Sequence, residues 1–381
     1  SLSLIRPDDL ISNLLKSILI RNPKINKNAI EDVIIGCTNQ AGEDSRNIAR
    51  NSLLLAGFPV STGGVTVNRL CSSGLQSIMD GSRAIQCNEG DIYIAGGVES
   101  MSRSPYVMNK SETAFGRSTV MYDSTIGTRF PNKLLNTMHH PYSLGETAEN
   151  VAAQWNISRV EQDEYAFHSQ EKCRRAIQEG HFNDEIVSVH TRLPENRKKI
   201  VEFSVDEHPR EVTMEQLSQL KPAFQADGTV TAGNSSGLND GAACCIIASE
   251  ETVHKNQLNP MARVVSRAVV GVDPSVMGIG PVEASRLALK RAGLTVQDIG
   301  LWEINEAFAS QSIACIRDLG IDPCITNIYG GAIALGHPLG CSGTRIVSTL
   351  LHAMKRNNIR YGVATMCVGI GQGVAVVFEN V

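Results

Sequence analysis

The sequence has few aromatic residues, no excess of basic charge and no long apolar run. Aromatic side chains make up only 5% of its 381 residues, whereas 33 glycines favour tight turns and close backbone approaches. A net charge of −4 gives no basic footprint, so we expect no nucleic-acid partner. No apolar run approaches the roughly 18 residues of a membrane-spanning helix, so we expect no membrane insertion. The first residues show neither an initiator Met nor a signal-peptide pattern, which predicts that the chain begins inside a longer gene product.

Paired cysteine motifs are also missing. The ten cysteines are scattered, without a CxxC pair and without histidines at metal-ligand spacing. We therefore expect no structural zinc and no disulfide framework. Reduced thiols in turn indicate a cytoplasmic protein.

Helices and strands are predicted to alternate at both ends of the chain. This alternation is typical of a parallel or mixed sheet that helices cover on both faces, which is an α/β fold. Apolar periodicity predicts helices over 8–18, 47–56, 75–85, 281–292 and 344–355, a helix that starts over 305–308, and strands over 32–36, 65–67, 91–102, 242–249, 300–304, 361–367 and 374–378.

The middle of the chain interrupts this alternation. One long helix is predicted over 151–179, with Ser158 as a cap, and short strands are predicted over 184–203. We interpret the middle as an inserted domain, a common place for substrate contacts. The predicted division is an N-terminal half of residues 1–105 plus 238–258, an inserted domain of residues 106–237, and a C-terminal half of residues 259–381.

The two halves repeat each other. Each has a strand that an aspartate precedes or begins, a loop, a cysteine-serine-glycine turn, a helix, and a strand that runs into glycines. We infer a duplicated α/β unit rather than a solenoid, because only two copies are present. A pseudo-two-fold pair of sheets would bring Cys71 of one half against His337 and Cys367 of the other. Ligands of open α/β units lie at such strand ends.

Cys71 follows a β-branched run and precedes a helical pattern, in the stretch VTVNRLCSSGLQSI (65–78). The pattern predicts a strand, a sharp turn and a helix, with Cys71 at or next to the helix N-terminus. Free N–H groups and the helix dipole favour an anion there. A thiolate is such an anion and a nucleophile towards carbonyl carbon. Cys71 could equally be a small buried apolar residue.

Three further residues could assist a cysteine nucleophile. His337 lies in a rigid Gly-His-Pro turn, Cys367 lies between a strand and a glycine-rich turn, and Asn305 lies where a strand runs into a helix. Each has a simpler explanation: the histidine could cap a turn, the cysteine could lie in the core, and the asparagine could be an N-cap. Their joint occurrence at strand ends favours catalysis.

Seven motifs in order along the chain closely resemble those of the thiolases. They are NRLCSSG (68–74), GGVESMS (96–102), GETAE (145–149), GTVTAGNSSG (228–237), NEAF (305–308), GGAIALGHPLG (330–340) and MCVG (366–369). The resemblance implies the thiolase fold: two βαβαβαββ halves with five-stranded sheets, in five α-β-α-β-α layers, with a loop domain inserted in the first half. It also implies a homodimer or homotetramer.

The resemblance implies a role for each catalytic candidate. Cys71 would take the acyl group, and His337 would activate it and hold the thioester oxygen with a water placed by Asn305. Cys367 would be the acid or base at the acetyl-CoA carbon. The N–H groups of Cys71 and Gly369 would form a second oxyanion hole. Acyl-CoA and CoA would be substrates, and no metal or redox cofactor would be needed.

The resemblance also implies positions that contact the substrate and CoA. Ser236 and Phe224 match loop-domain positions that line the pantetheine. Leu144 replaces a methionine that many members carry, and Ser143 stands where acetoacetyl-specific members tend to have histidine. This argues against an acetoacetyl-CoA specialist, which remains an alternative. The chain also lacks the first strand that precedes Ser1 in most thiolases, so the first half is expected to be one strand short.

Finer motifs are similar to those of the 3-oxoadipyl-CoA thiolases. They are GEDSRN (42–47), YDSTIGTR (122–129), DEHPR (206–210) and GIGQG (369–373). A 3-oxoadipyl chain ends in a carboxylate, for which Arg129 and His208 are candidate partners. A general fatty 3-oxoacyl-CoA is the competing substrate.

Three other classes of protein were weighed. A ketoacyl synthase of the same fold would resemble a Cys-His-His site, whereas this chain has Cys367. A dinucleotide-binding protein would need a helix after Gly373 and an acidic residue about 20 positions further on, whereas the chain ends eight residues after Gly373. A non-catalytic thiolase-like acyl-CoA-binding protein is disfavoured because all three catalytic candidates are intact.

Overall fold

Two four-stranded sheets, one from each half of the chain, form the centre of the fold. The computed structural model describes residues 1–193 and 196–381. Its strands are β1 (Asp32–Gly36), β2 (Gly63–Val67), β3 (Ile92–Ser100), β4 (Tyr106–Met108), β5 (Met121–Asp123), β6 (Val189–Leu193), β7 (Asn196–Phe203), β8 (Asp240–Ala248), β9 (Ala262–Gly271), β10 (Leu301–Ile304), β11 (Tyr361–Val368) and β12 (Gln372–Asn380). Its helices are α1 (Pro7–Arg21), α2 (Ile48–Leu55), α3 (Ser73–Gln86), α4 (Lys133–Met138), α5 (Leu144–Gln154), α6 (Arg159–Gln178), α7 (Met214–Ser218), α8 (Glu250–Lys255), α9 (Gly280–Ala292), α10 (Ala309–Leu319), α11 (Ala332–Leu335) and α12 (Leu339–Arg356).

Both sheets combine parallel and antiparallel pairs. The first has the order β2-β1-β3-β8, with β1 parallel to both neighbours and β8 antiparallel to β3. The second has the order β10-β11-β12-β9, with β10 parallel to β11 and β12 antiparallel to both of its neighbours. The parallel strands point their carboxyl ends at one edge of each sheet, where the candidate residues follow.

Helices cover the sheets in five layers. Helices α1 and α2 pack on the outer face of the first sheet, and α9 packs on the outer face of the second. Helices α3 and α12 lie between the sheets and contact each other closely. A side chain at Gly74 would come within 2.8 Å of the Gly340 carbonyl oxygen, so glycine permits this approach. The predicted α/β fold with α-β-α-β-α layers is confirmed.

The strand count differs from the expected five per sheet. In the second half a single parallel bridge between Trp302 and Thr326 marks a fifth position beside β10. In the first half β8 pairs with β3 alone among the described strands. An isolated bridge is not a strand, because it lacks the repeated ladder bonds.

Several predicted boundaries were wrong. The helix predicted over 151–179 is two helices, α5 and α6, because Asn156 takes a left-handed φ of 51° and Ser158 starts a new capping box with Glu161. The helix expected from Asn305 starts at Ala309, after an extended segment. Helix α12 starts before Thr344, and strand β9 was not predicted.

The described residues contain no helix that is both long and apolar enough to cross a bilayer. The strands predicted over 184–203 are present as β6 and β7, and residues 194–195 between them lie outside the described residues.

Candidate active site

Cys71 lies on a strained turn between β2 and α3. Leu70, the residue before it, has a left-handed φ of 47°, which costs a non-glycine residue about 1–2 kcal/mol. Hydrogen bonds hold the turn: the Asn68 Oδ1 accepts from the Leu70 N–H at 2.8 Å, and the Ser73 Oγ accepts from the Arg69 N–H at 2.9 Å. Helix α3 starts at Ser73, so the predicted position beside the helix N-terminus is confirmed.

The Cys71 thiol is buried, with 7% of the residue exposed. Burial raises its pKa to about 11, and the backbone N–H groups of Gly369 and of Cys71 itself oppose that rise by pointing at Sγ. The resting group is therefore a neutral thiol. These two N–H groups come from opposite halves of the chain, and both lie near enough to the sulfur to lower its pKa.

Gly369 begins the turn between β11 and β12. Arg69 of the Cys71 turn donates to Gln372 Oε1 at 2.7 Å, which ties this hairpin to the nucleophile. A side chain at Gly369 would lie 3.2 Å from Leu70 Cδ1. The turns at the ends of the two sheets are thus in direct contact.

His337 lies immediately before α12 and is 5% exposed. Its Nδ1 lies 2.6 Å from Ser342 Oγ, and Ser342 donates its own proton to the Pro338 carbonyl at 2.9 Å. We infer that Nδ1 carries the proton and that Nε2 is the unprotonated nitrogen. Burial first, and then the charge of Arg345, lower the His337 pKa to about 3. The ring is neutral at neutral pH and can accept a proton.

Asn305 follows β10 and is 1% exposed. Its backbone N–H donates to the Thr365 carbonyl at 3.0 Å, so the end of β10 stays registered on β11. Its Nδ2 lies 3.4 Å from His337 Nε2. Its Oδ1 is buried without a hydrogen-bond partner in residues 1–193 and 196–381. A buried orphan acceptor beside a histidine fits a residue that holds a water.

Cys367 lies on β11 and is 1% exposed. It packs in an apolar cluster with Met277 and Phe308, and its Sγ lies 3.8 Å from Gln311 Oε1. Burial first, and then the neighbouring Cys71, raise its pKa well above the ordinary value. This second thiol therefore stays protonated at rest, as a proton donor should.

The three predicted substrate and CoA residues lie around this cluster. Leu144 packs against it and comes within 3.8 Å of the position that a side chain at Gly369 would take. Phe224 is 42% exposed and meets Phe308 edge to face with ring centroids 6.1 Å apart. The Ser236 N–H donates to the Ala307 carbonyl at 3.0 Å. The aliphatic Leu144 and the aromatic Phe224 thus lie next to the cluster that contains Cys367.

The two candidate partners of a substrate carboxylate are placed differently. Arg129 is half-buried and donates to Asn39 Oδ1 at 3.4 Å. His208 is half-buried and faces Asn239, whose Nδ2 lies 3.3 Å from His208 Nδ1. Within residues 1–193 and 196–381, no hydrogen bond joins Arg129 to the candidate catalytic residues, whereas Asn239 bonds directly to the backbone of His337.

Three polar residues of the site were not identified from the sequence. Ser342 fixes the His337 tautomer, Gln311 accepts from the Ala307 N–H at 3.1 Å beside Cys367, and Glu99 accepts from the Thr38 and Gly340 N–H groups at 3.0 and 2.8 Å. The signal for Ser342 was its place one helical turn after His337. Glu99 lies in a recognised motif, but its bond to the start of α12 depends on the docking of the two halves.

The carboxylate of Glu306, in the NEAF motif, is held by several hydrogen bonds. Its carboxylate accepts from Ser169 Oγ at 2.7 Å, from Asn327 Nδ2 at 2.8 Å and from the Ile333 N–H at 3.1 Å. It therefore fixes the segment that leads to His337. Within the described part of the chain, no group of three or more His, Cys, Asp or Glu side chains is arranged to hold a metal ion.

This arrangement joins a strained cysteine, a neutral imidazole, a second thiol and two convergent N–H donors. Such a set can form an acyl-cysteine, stabilise an oxyanion and move a proton to or from carbon. The fold and the site together define an acyl-transferring enzyme.

Comparison with known proteins identifies the family. The profile of the thiolase N-terminal domain matches residues 1–251, and that of the thiolase C-terminal domain matches residues 258–380. The chain belongs to the thiolase family and is an acyltransferase, as its motifs predicted.

Relatives in this family match over nearly their whole length. The 3-oxoadipyl-CoA/3-oxo-5,6-dehydrosuberyl-CoA thiolase of Escherichia coli strain K12 is 50% identical over 385 residues, which cover 100% of this chain and 95% of the relative. The Bacillus anthracis acetyl-CoA acetyltransferase superposes with a TM-score of 0.93 at 40% identity, over 100% of this chain and 94% of the other. Human mitochondrial 3-ketoacyl-CoA thiolase in complex with CoA superposes with a TM-score of 0.90 at 41% identity, over 100% and 93%.

Proposed function

We propose that this enzyme cleaves a 3-oxoacyl-CoA with free CoA, through an acyl group on Cys71, to acetyl-CoA and an acyl-CoA shortened by two carbons. The contact between the Cys71 turn and the Gly369 turn, which brings the backbone N–H groups of both residues near Cys71 Sγ, carries the proposal. When Sγ bonds to a carbonyl carbon, the carbonyl oxygen can take over both donors and keep its developing charge stabilised.

The first half-reaction uses both halves of the chain. His337 Nε2 takes the Cys71 proton, and the sulfur attacks C3 of the 3-oxoacyl group. The C2–C3 bond then breaks, which leaves the acyl group on Cys71 and the electron pair as the enolate of acetyl-CoA. The protonated His337 and a water at Asn305 hold the enolate oxygen, and the Cys367 thiol protonates C2.

The second half-reaction restores the enzyme. The CoA thiol gives its proton to the Cys367 thiolate, and the CoA thiolate attacks the acyl-Cys71 carbonyl at the same oxyanion hole. The Cys71 thiolate leaves and recovers its proton from His337. Acyl-CoA and CoA are both substrates here, and every proton is accounted for without a metal or redox cofactor.

Intact-mass measurement tests the acyl-enzyme. After brief exposure to 3-oxoadipyl-CoA without free CoA, the wild-type protein should gain one succinyl group, and Cys71→Ala should gain none. An equal adduct on both proteins would show that another residue takes the acyl group. No adduct with 3-oxoadipyl-CoA, 3-oxooctanoyl-CoA or acetoacetyl-CoA would contradict the proposed activity.

We propose a 3-oxoadipyl-CoA as the preferred substrate. The four finer sequence motifs and the 3-oxoadipyl-CoA thiolase relative support this choice. A structural neighbour that is an acetyl-CoA acetyltransferase keeps acetoacetyl-CoA as a second candidate. Values of kcat/KM for 3-oxoadipyl-CoA, 3-oxooctanoyl-CoA and acetoacetyl-CoA should decrease in that order, and a higher value for either of the last two would contradict the choice.

We propose a homodimer or homotetramer in the cytoplasm. Exposed apolar residues such as Phe115, at 98% exposure, and Met138 in the segment between β4 and α5 support self-association. The described residues hold all ten cysteines as free thiols, which supports a reducing compartment. The three-part division at 1–105 plus 238–258, 106–237 and 259–381 is supported by β8, which returns to the first sheet after the inserted residues.

A further inference from the structure

The segment DEHPR (206–210) has no role in the mechanism above, although its His208 contacts Asn239, which binds the backbone of the proposed catalytic histidine. His208 of this segment is half-buried and packs directly on Gly237. A side chain at Gly237 would come within 2.4 Å of His208 Cε1. The imidazole therefore fills the space that a side chain at position 237 would otherwise occupy.

Asn239 connects this imidazole to His337. Its Oδ1 accepts a hydrogen bond from the His337 backbone N–H at 2.9 Å. Because only the amide oxygen can accept that bond, the amide orientation is fixed, and Nδ2 points at His208. Nδ2 lies 3.3 Å from His208 Nδ1 and can only donate, so Nδ1 must be the unprotonated ring nitrogen.

The turn before His337 packs against the same asparagine. Gly336 has a φ of 92°, a conformation that favours glycine, and a side chain there would lie 2.5 Å from Asn239 Cγ. Asn239 thus contacts the turn at two successive residues. The His337 ring is held separately, at Nδ1 by Ser342 and at Nε2 by Asn305.

We propose that His208 is a positioning residue for His337 and that it acts through Asn239. The inference rests on the proposed function, because it assumes that His337 Nε2 takes the Cys71 proton. The His208 Nδ1 accepts from Asn239 and fixes the amide, and the amide fixes the backbone N–H of the catalytic histidine. A small rotation of this amide would shift Nε2 relative to Cys71, and such misplacement is costly in catalysis.

This role differs from the contact with a substrate carboxylate that the sequence suggested for His208. The nitrogen that faces the catalytic turn is already bonded to a side chain of the same protein. Its acceptor function needs the neutral ring. Burial first, and then the neighbouring Arg210, lower the pKa of His208, while a hydrogen bond to the Ile333 backbone raises it. The net lowered pKa favours the neutral ring.

Two near-isosteric substitutions separate positioning from packing. In His208→Asn the new Oδ1 replaces the Nδ1 acceptor, whereas in His208→Gln the new acceptor lies near the position of Nε2 and cannot reach Asn239. We expect His208→Asn to keep kcat within about 3-fold of wild type and His208→Gln to lower kcat by about 10- to 100-fold, with KM changed much less. Equal kcat values for the two variants would overturn the proposal.

A double-mutant cycle tests whether the effect passes through Asn239. Single-turnover acylation of Cys71 is measured for His208→Gln, for Asn239→Ala and for the double variant. The double variant should be no slower than Asn239→Ala, because both changes break one chain of contacts. Fully additive losses would overturn the proposal. Thermal unfolding of each variant confirms that only folded protein is compared, and the Asn and Gln pair decides the question if Asn239→Ala does not fold.

The variant His337→Asn distinguishes the two proposals. If it acylates as fast as wild type, the assigned base is wrong and the proposed mechanism fails. If it loses acylation while His208→Gln and His208→Asn remain equal, the mechanism stands and only the positioning role fails.

Discussion

The two cysteine-serine-glycine segments of the duplicated unit lie at different positions relative to the starts of their helices. In the first half α3 starts at Ser73, so Cys71 stands before the helix on a strained turn. In the second half α12 starts at Leu339, so Cys341 lies inside the first helical turn, where it is buried and burial raises its pKa to about 12. The same motif gives a nucleophile in one half and a core residue in the other.

Helix α3 starts two residues after its cysteine and α12 starts two residues before its own, and this difference also explains the histidine. Because α12 begins earlier, the residue that stands before its N-terminus is His337 instead of a cysteine. A neutral base therefore occupies the second turn. The corresponding turns of the two halves thus carry the proposed nucleophile and the proposed base.

The last strands of the two halves differ as well. Strand β12 is paired on both sides, and its residues Val374–Val377 are fully buried. Its counterpart β8 pairs with β3 alone among the described strands and is half-buried throughout. Residues of β8 therefore gain less from burial than those of β12.

Removal of each turn cysteine should give the largest contrast. Cys71→Ala should lower kcat by about 10⁴-fold or more, because it removes the nucleophile. Cys341→Ala should leave kcat near the wild-type value and cost about 1 kcal/mol of the free energy of unfolding. Steady-state cleavage of 3-oxoadipyl-CoA and chemical denaturation measure the two effects. A similar loss of kcat in both variants would mean that the two turns are not functionally different.

Removal of the Cys367 thiol should have a smaller effect on the reaction than removal of the Cys71 thiol. Cys367→Ala should slow exchange of the acetyl-CoA methyl protons with deuterated water by about 10²- to 10⁴-fold, because the carbon acid loses its base. The matched control is Cys315→Ala, which removes another buried thiol near Gln311 and should leave exchange almost unchanged. Nuclear magnetic resonance follows the methyl signal. Unchanged exchange in Cys367→Ala would assign proton transfer to another group.

The smallest effects should be two opposing pH dependences of stability. The pKa of His337 is lowered to about 3, so its contribution is present above pH 6.5 and is lost as the pH falls, by up to about 1.4 kcal/mol per unit. The pKa of Glu99 is raised to about 7 by burial, so its contribution is present below about pH 4.5 and is lost as the pH rises through 7.

Denaturation curves between pH 4 and 8 measure both effects. Between pH 4.5 and 6.5, His337→Asn should be less sensitive to acid than wild type, whereas Glu99→Gln should make the loss of stability on acidification steeper. If either variant kept the wild-type pH profile, the corresponding group would not be the source of the dependence.

Much of the site could be predicted because its residues lie in short local patterns. The strand, turn and helix around Cys71 follow from a β-branched run, small polar residues and an apolar helical period. The neighbours of His337 were harder to predict. Ser342 is close to His337 in the sequence, whereas Asn239 is 98 residues away from the His337 N–H that it binds. Strand β9 was not predicted although it is rich in valine, because its valines come in adjacent pairs and do not alternate with polar residues.

The sequence by itself determined the class of fold, the duplicated unit, the family and the residue types that carry the chemistry. Local periodicity and motif spacing are sufficient for these, because they depend on neighbours along the chain. Only the tertiary structure decided which of two similar cysteines is accessible to a base, which tautomer His337 adopts and how β8 is paired. These properties depend on where helices start and on contacts between distant segments, and burial and hydrogen bonding there arise only when the two halves dock.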